Sequence, residues 1–257
     1  NGLKKVLSHF YNQFFLSSRN ELERARNSFN LNPFNMSEDQ QISVNFTIKN
    51  SLYFNRGLQK FSTTYTFAKA ENKQQYSIGS QDTDTNYQQI DFQHKISKFW
   101  LIDLQGKLSE NKLETENFNN RNYEIDVIAF QPKISYVLNN DNRFSAFYHM
   151  KNKENTLAEF EKLKQQKIGV EYFYTGKSTS QFNANFTTFF NDFDGNPNSP
   201  VGYQMLEGLQ EGTNYTWSFL WNKKLNSFLN VNLNYKGRKS LNSKTIHTGT
   251  INLKAVF

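Results

Sequence analysis

A chain of 257 residues is long enough for two ordinary domains or for one large all-β domain. Its hydrophobic content of 37% and mean hydropathy of −0.76 look too poor for a buried core of that size, yet 25 Phe and 13 Tyr argue against disorder. With no cysteine, disulfides and thiolate metal sites are excluded, and a net charge of +7 scattered along the chain lacks the basic stripe that nucleic-acid binding needs.

The first segment, residues 1–35, is ambiguous. Val6, Phe10, Phe14 and Leu16 fit a strand, while Leu3, Val6, Leu7, Phe10 and Phe14 fit an amphipathic helix. From residue 36 to 257 the dominant period is two, the signature of strands rather than helices. Val44, Phe46 and Ile48 share one face of "SVNFTIK". Phe61, Thr63, Tyr65 and Phe67 follow, then Ile90, Phe92 and Ile96, then Trp100, Ile102 and Leu104. Tyr123, Ile125 and Val127 open the next strand. Its phase slips near Phe130 and Pro132 and resumes at Ile134 and Tyr136, as a bulge would make it. Five further sets complete the series: Phe144–Met150, Ile168–Tyr174, Phe182–Phe190, Tyr215–Trp221 and Leu229–Tyr235. A terminal strand follows, with His247, Gly249, Ile251, Leu253, Ala255 and Phe257 on one side.

The connections are of two kinds. Short ones fall at 55–59, 97–98, 138–141, 175–178 and 222–225. Longer polar stretches fall between them at 71–85, 109–120, 154–164 and 191–212, with 240–243 as a shorter exception. Turns that stay short at one end and long at the other are expected of an outer-membrane barrel, with short periplasmic turns and longer extracellular loops. No run of about 18 apolar residues is present, so no transmembrane helix is written here. The expectation is an all-β chain forming a transmembrane antiparallel up-and-down barrel. Eleven strands follow from 36–257, and a twelfth from 1–35 would satisfy an edge that lipid cannot.

The aromatics Trp100, Trp217, Trp221, Tyr123 and Tyr235 suit interfacial girdles, and the opposite faces are Asn, Gln, Thr and Lys. Lys95, Lys151, Lys236 and Lys254 would point to the lumen, where Phe147, Phe173 and Phe189 could fill space. The stretch "PVGYQMLEGL" inside 191–212 reads as an exposed outer contact.

Chemistry is sparse. His9, His94, His149 and His247 show no metal-ligand spacing. Ser243 and His247 sit near one loop, but no third member of a hydrolytic triad is indicated. Asp192, Asp194, Asn196 and Asn198 are spaced like the start of a calcium loop, as are Asp82, Asp84 and Asn86. Neither series reaches a glutamate at the twelfth position, and solvated polar loops are the default. The chain is expected to be non-enzymatic and to need no cofactor. Its first residue is Asn1, which fits either a removed signal or the C-terminal piece of something longer.

The terminal strand resembles the C-terminal recognition strand of outer-membrane proteins, in which alternating apolar residues finish on Phe. That resemblance implies that Gly249, Ile251, Leu253 and Phe257 are read by the barrel assembly machinery. More narrowly, "LNPFN" (31–35), "LYFNRGLQKF" (52–61), "NRNYEI" (120–125), "YQMLEGLQEGTNYTW" (203–217) and the ending 237–257 are similar to the C-terminal barrel of large, uncharacterised Bacteroidota outer-membrane proteins. The resemblance implies an outer-membrane barrel with lipid around it, often beneath a larger N-terminal portion, and no established reaction. The length of 191–212 and its "PVGYQMLEGL" motivate the expectation that the barrel anchors a larger assembly or an extra domain, with other outer-membrane or surface proteins as partners. The other reading of the residues is a passive channel for small anionic solutes.

Overall fold

The computed structural model describes residues 14–29, 39–56, 60–76, 79–157, 161–176, 180–226, 228–241 and 243–255. Twelve strands form one sheet in sequence order, each antiparallel to the next. They are β1 (Phe14–Phe29), β2 (Asp39–Phe54), β3 (Phe61–Tyr76), β4 (Gly79–Lys95), β5 (Trp100–Thr115), β6 (Tyr123–Val137), β7 (Asn142–Asn155), β8 (Lys162–Gly176), β9 (Ser180–Asp194), β10 (Gly212–Lys224), β11 (Leu229–Ser240) and β12 (Ile246–Ala255). Among the described residues, a 3-10 turn, Asn119–Arg121, and a short helix, α1 (Pro200–Met205), are the other elements. A strand runs from Phe14 to Phe29 and pairs along its length with β2; Leu3, Val6, Leu7 and Phe10, on which the N-terminal alternatives rest, lie outside the described residues. Among the described residues β1 and β12 are not paired with each other, so the sheet is open between them.

Alternation sets the two faces, because successive side chains in a strand point to opposite sides. The outward set includes Ile90, Trp100, Leu108, Ile128, Phe130, Ile134, Phe144, Ile168 and Phe186, all large, apolar and exposed. On β5 the apolar outward positions run from Trp100 to Leu108, and Glu110, Lys112 and Glu114 follow. On β6 they run from Ile128 to Tyr136, and Asp126 and Glu124 lie beyond. Each set spans about nine residues, the length a tilted strand needs to cross a hydrocarbon layer. At 16 residues, β5 is longer than that band, so its charged end projects past it.

This projection shortens the expected loops: 109–115 of the 109–120 stretch belong to β5, and the 71–85 loop all but vanishes. Residues 71–85 read as a long polar connection, but β3 and β4 continue through them, leaving only 77–78 between the strands. Lys69, Glu71, Lys73, Asp82 and Asp84 are polar because they lie beyond the apolar band. Their backbones still pair, Glu71 with Asp84 and Lys73 with Asp82. The opposite end of the sheet keeps its connections short, at 55–60, 96–99, 138–141, 177–179 and 225–228.

A second correction concerns β6. No bulge occurs. The register with β5 is unbroken from Trp100↔Tyr136 to Leu113↔Tyr123. Toward β7, Phe130↔Met150 and Lys133↔Phe147 belong to one register. Pro132 has no N–H to give, so the ladder skips a step without admitting an extra residue. With the phase unbroken, Tyr123, Ile125 and Val127 face the concave interior, not the outside. Trp100, Trp217, Trp221 and Tyr235 do lie in the outward register.

The core explains those inward residues. Leu113, Tyr123, Ile125, Leu163, Phe193, Val201, Met205 and Leu206 form one buried cluster. Five come from β5, β6, β8 and β9, and three from α1 and the residue after it. The connection 195–211 therefore folds back over the concave face. "PVGYQMLEGL" is not an exposed contact as expected: Met205 is 0% exposed, although Tyr203 remains 65% exposed. Burying three of its side chains is how this segment offsets the entropy of being ordered.

Candidate functional site

Local chemistry fixes where the segment docks. Ser199 caps α1, its Oγ accepting from the Gly202 backbone N–H at 2.9 Å, and Pro200 fills the first turn. Gly202 lies against the Asn196 carbonyl, where a Cβ would sit 2.2 Å from that oxygen. After α1 the chain turns through the left-handed region at Glu207 (φ 57°) and Gly208 (φ 73°). Glycine adopts this freely, but glutamate does so at a cost of about 1 kcal/mol. On the way out, Asn191 Nδ2 donates to the Gln210 carbonyl at 2.9 Å, and Asn214 Nδ2 donates to it at 2.7 Å.

The strained Glu207 is held by charge. Lys151 Nζ donates to its carboxylate at 2.6 Å and Lys153 Nζ at 2.9 Å, while Lys167 Nζ stands at 3.8 Å. Lys153 also donates to the Met205 carbonyl at 2.8 Å. Burial alone would raise the pKa of the Glu207 carboxyl. Lys153, Lys151 and Lys167 outweigh that effect and hold it down at about 2. Beside this cluster a cavity of about 550 Å³ is lined by Lys107, His149, Lys151, Lys153 and Glu207, and by hydroxyl and amide groups of β4, β5 and β6.

Lower in the concave face the polar residues pair across strands. Lys133 bonds Glu171, Ser135 meets Ser145 at 2.9 Å, and Ser51 meets Thr66 at 3.1 Å. The hydroxyl pairs are buried and satisfy one another, while Lys133 and Glu171 remain partly exposed.

The sequence-based candidates separate. Lys95, Lys151, Lys236 and Lys254 all fall in the inward register, but only Lys151 joins the cluster. Phe147, Phe173 and Phe189 also point inward, half-buried, with Phe147 lying over Gly169 and Phe189 beneath Lys167 at 5.0 Å. They line the interior, and the 195–211 segment docks over one end of it. His247 is outward and accepts or donates at 2.8 Å with the Tyr235 hydroxyl, while Ser243 engages Ser240. The serine and the histidine are thus engaged with different partners.

Asp82, Asp84 and Asn86 lie in β4, not in a loop. Among the described residues no group of three or more His, Asp or Glu gathers to hold a metal. Gly249, Ile251 and Leu253 share the outward face of β12; Phe257 and His9 lie outside the described residues. The sequence reading missed Lys107, Lys153, Lys167 and Glu207 as a group. Placing the hairpin registers side by side would have aligned the three lysines with Lys151, but no periodicity points to Glu207.

No protein-family model matches the chain, and no curated protein matches it. Among solved structures, the ferric-catecholate import receptor Fiu from E. coli K12 aligns with a TM-score of 0.53 and 9% identity, covering 94% of this chain and 56% of that one. The translocator domain of the autotransporter NalP from Neisseria meningitidis aligns at 0.36 and 9% identity, over 100% and 95%. OmpT, an outer membrane protein of Vibrio cholerae, in its trimer form aligns at 0.45 and 7% identity, over 94% and 97%. At these identities the likeness is one of fold, and it is carried by the first: the chain has the antiparallel up-and-down strand meander of outer-membrane β-barrels.

Proposed function

We propose that this chain is a non-enzymatic outer-membrane protein that acts as a membrane anchor or as a component of a larger cell-envelope assembly. Its interior is closed at one end by its own 195–211 segment. The observation that carries the reading is the pairing of an uncovered apolar band with a buried apolar cluster that α1 completes. The band suits hydrocarbon. A segment anchored by fully buried Met205 and Leu206 suits a standing closure. In this reading the 195–211 end faces outward and the short turns face the periplasm. Gly249, Ile251, Leu253 and Phe257 are the strand read by the barrel assembly machinery, other surface proteins are the partners, and the likeness to large Bacteroidota barrels supplies the wider context.

The second reading is passive conduction of small anions, favoured by the inward lysines. Planar-bilayer recording separates the two. The anchor reading expects the intact chain to be silent, and expects discrete anion-preferring steps once 195–211 is replaced by a short Gly-Ser linker. Discrete steps from the intact chain would overturn it.

A further inference from the structure

We propose that the lysine cluster beneath α1 is a binding site for a small, hydroxyl-rich solute bearing a carboxylate, such as an acidic monosaccharide, and that Glu207 is the resident carboxylate it displaces. The inference does not depend on whether the protein conducts, because it concerns equilibrium binding.

Three observations converge. First, charge is unbalanced. Lys151, Lys153 and Lys167 share the single carboxylate of Glu207, and Lys107 lines the same cavity with its Nζ over the Tyr87 ring at 4.5 Å. The side chains of Lys151, Lys153 and Lys167 are 16%, 9% and 14% exposed, so water compensates them poorly. Partly buried like charges that repel one another are costly to keep and gain from an added anion. Second, the geometry is already that of a carboxylate receptor. Glu207 Oε1 accepts from two ammonium groups at 2.6 and 2.9 Å, the short range of charge-assisted bonds. It does so from a residue in the left-handed region (φ 57°), where its backbone gains nothing that would further hold it in place. Third, the cavity beside it has room and the right lining. Its volume of about 550 Å³ suits a small ligand. Gln89, Gln105, Thr85 and Asn111 line it too; Gln89 and Gln105 each donate to Asp91 and Thr85 donates to Asn111, and their remaining amide N–H and carbonyl groups suit a ligand's hydroxyls.

The test is calorimetric titration of the full chain, folded in detergent, with glucuronate, glucose and inorganic phosphate. Glucuronate should bind and glucose should not. Glu207→Gln, which keeps the side-chain shape while removing the competing charge, should tighten glucuronate by about tenfold, equivalent to about 1.4 kcal/mol. Adding Lys151→Gln to that variant should abolish the gain, whereas Lys95→Gln, inward but outside the cluster, should leave it intact. Circular dichroism confirms that each variant keeps its strand content, and a variant that loses it is replaced by the corresponding Lys153→Gln. Glucuronate failing to bind both the native chain and folded Glu207→Gln overturns the site. Equal affinity for glucose overturns the anionic requirement, and equal affinity for phosphate overturns the saccharide class.

Discussion

Two regions of this sheet share one sequence pattern and differ in what lies on their concave side. Between β5 and β9, inward Leu113, Tyr123, Ile125, Leu163 and Phe193 meet α1 and are buried. At the edge, every residue of β12 is exposed on both faces, although its alternation is at least as regular. Alternation therefore dictates which side chains look outward, while concave burial depends on a distant segment folding back. The interior of such a sheet is specified residue by residue, by whatever fills it.

The largest expected contrast is between Met205 and Leu253. Met205→Ala removes a side chain with no exposure and leaves a cavity, so urea unfolding from detergent should show a loss of about 2 to 5 kcal/mol. Leu253 is 69% exposed, and detergent or lipid takes the place of its deleted atoms. Leu253→Ala should cost less than about 1 kcal/mol. Equal losses would mean that 195–211 does not dock.

A smaller contrast sharpens the same point. A Cβ at Gly169 would lie 2.3 Å from the Phe147 ring, whereas at Gly249 the nearest atom, the Asn234 carbonyl, is 4.0 Å away. Gly169→Ala should cost about 1 to 3 kcal/mol by overpacking, and Gly249→Ala about 0.5 kcal/mol or less. The same unfolding measurement reads both.

The smallest effect is electrostatic. The Glu207 carboxyl titrates near 2, below its ordinary 4.5. Its contribution is therefore complete above about pH 4.5 and is lost as pH falls through 2. Protease cleavage within 195–211 should stay slow at pH 5 and accelerate only toward pH 2 to 3, read with an acid-active protease. Glu207→Gln should remove that dependence. The side chain is 38% exposed, so salt should weaken the protection measurably.

These contrasts also mark what the sequence made legible. The outward band was readable because it makes the same demand of every strand, and Trp100 to Leu108 or Phe144 to Met150 announce it by period two. Strand ends were not readable. Past the band both faces turn polar, so Lys69 to Asp84 looks like loop even though its backbones stay paired. The interior was misjudged at Tyr123, Ile125 and Val127, because an apolar inward residue imitates a phase slip when its covering segment lies some 80 residues away. Of the candidate site only Lys151 was visible as an inward lysine. Glu207 sits in an aperiodic segment whose position depends on tertiary docking, which no local pattern encodes.

The central claim is that one face of each strand meets hydrocarbon, in a phase that β6 never breaks. The chain has no cysteine, so single cysteines can be placed in turn at Val127, Ile128, Ala129, Phe130, Lys133 and Ile134, spin-labelled, and reconstituted in liposomes. Relaxation by oxygen, which concentrates in lipid, should be high at 128, 130 and 134 and low at 127, 129 and 133, and a water-soluble nickel complex should never favour the first set. A reversal of phase across Pro132, or equal nickel access on both sets, would contradict the account.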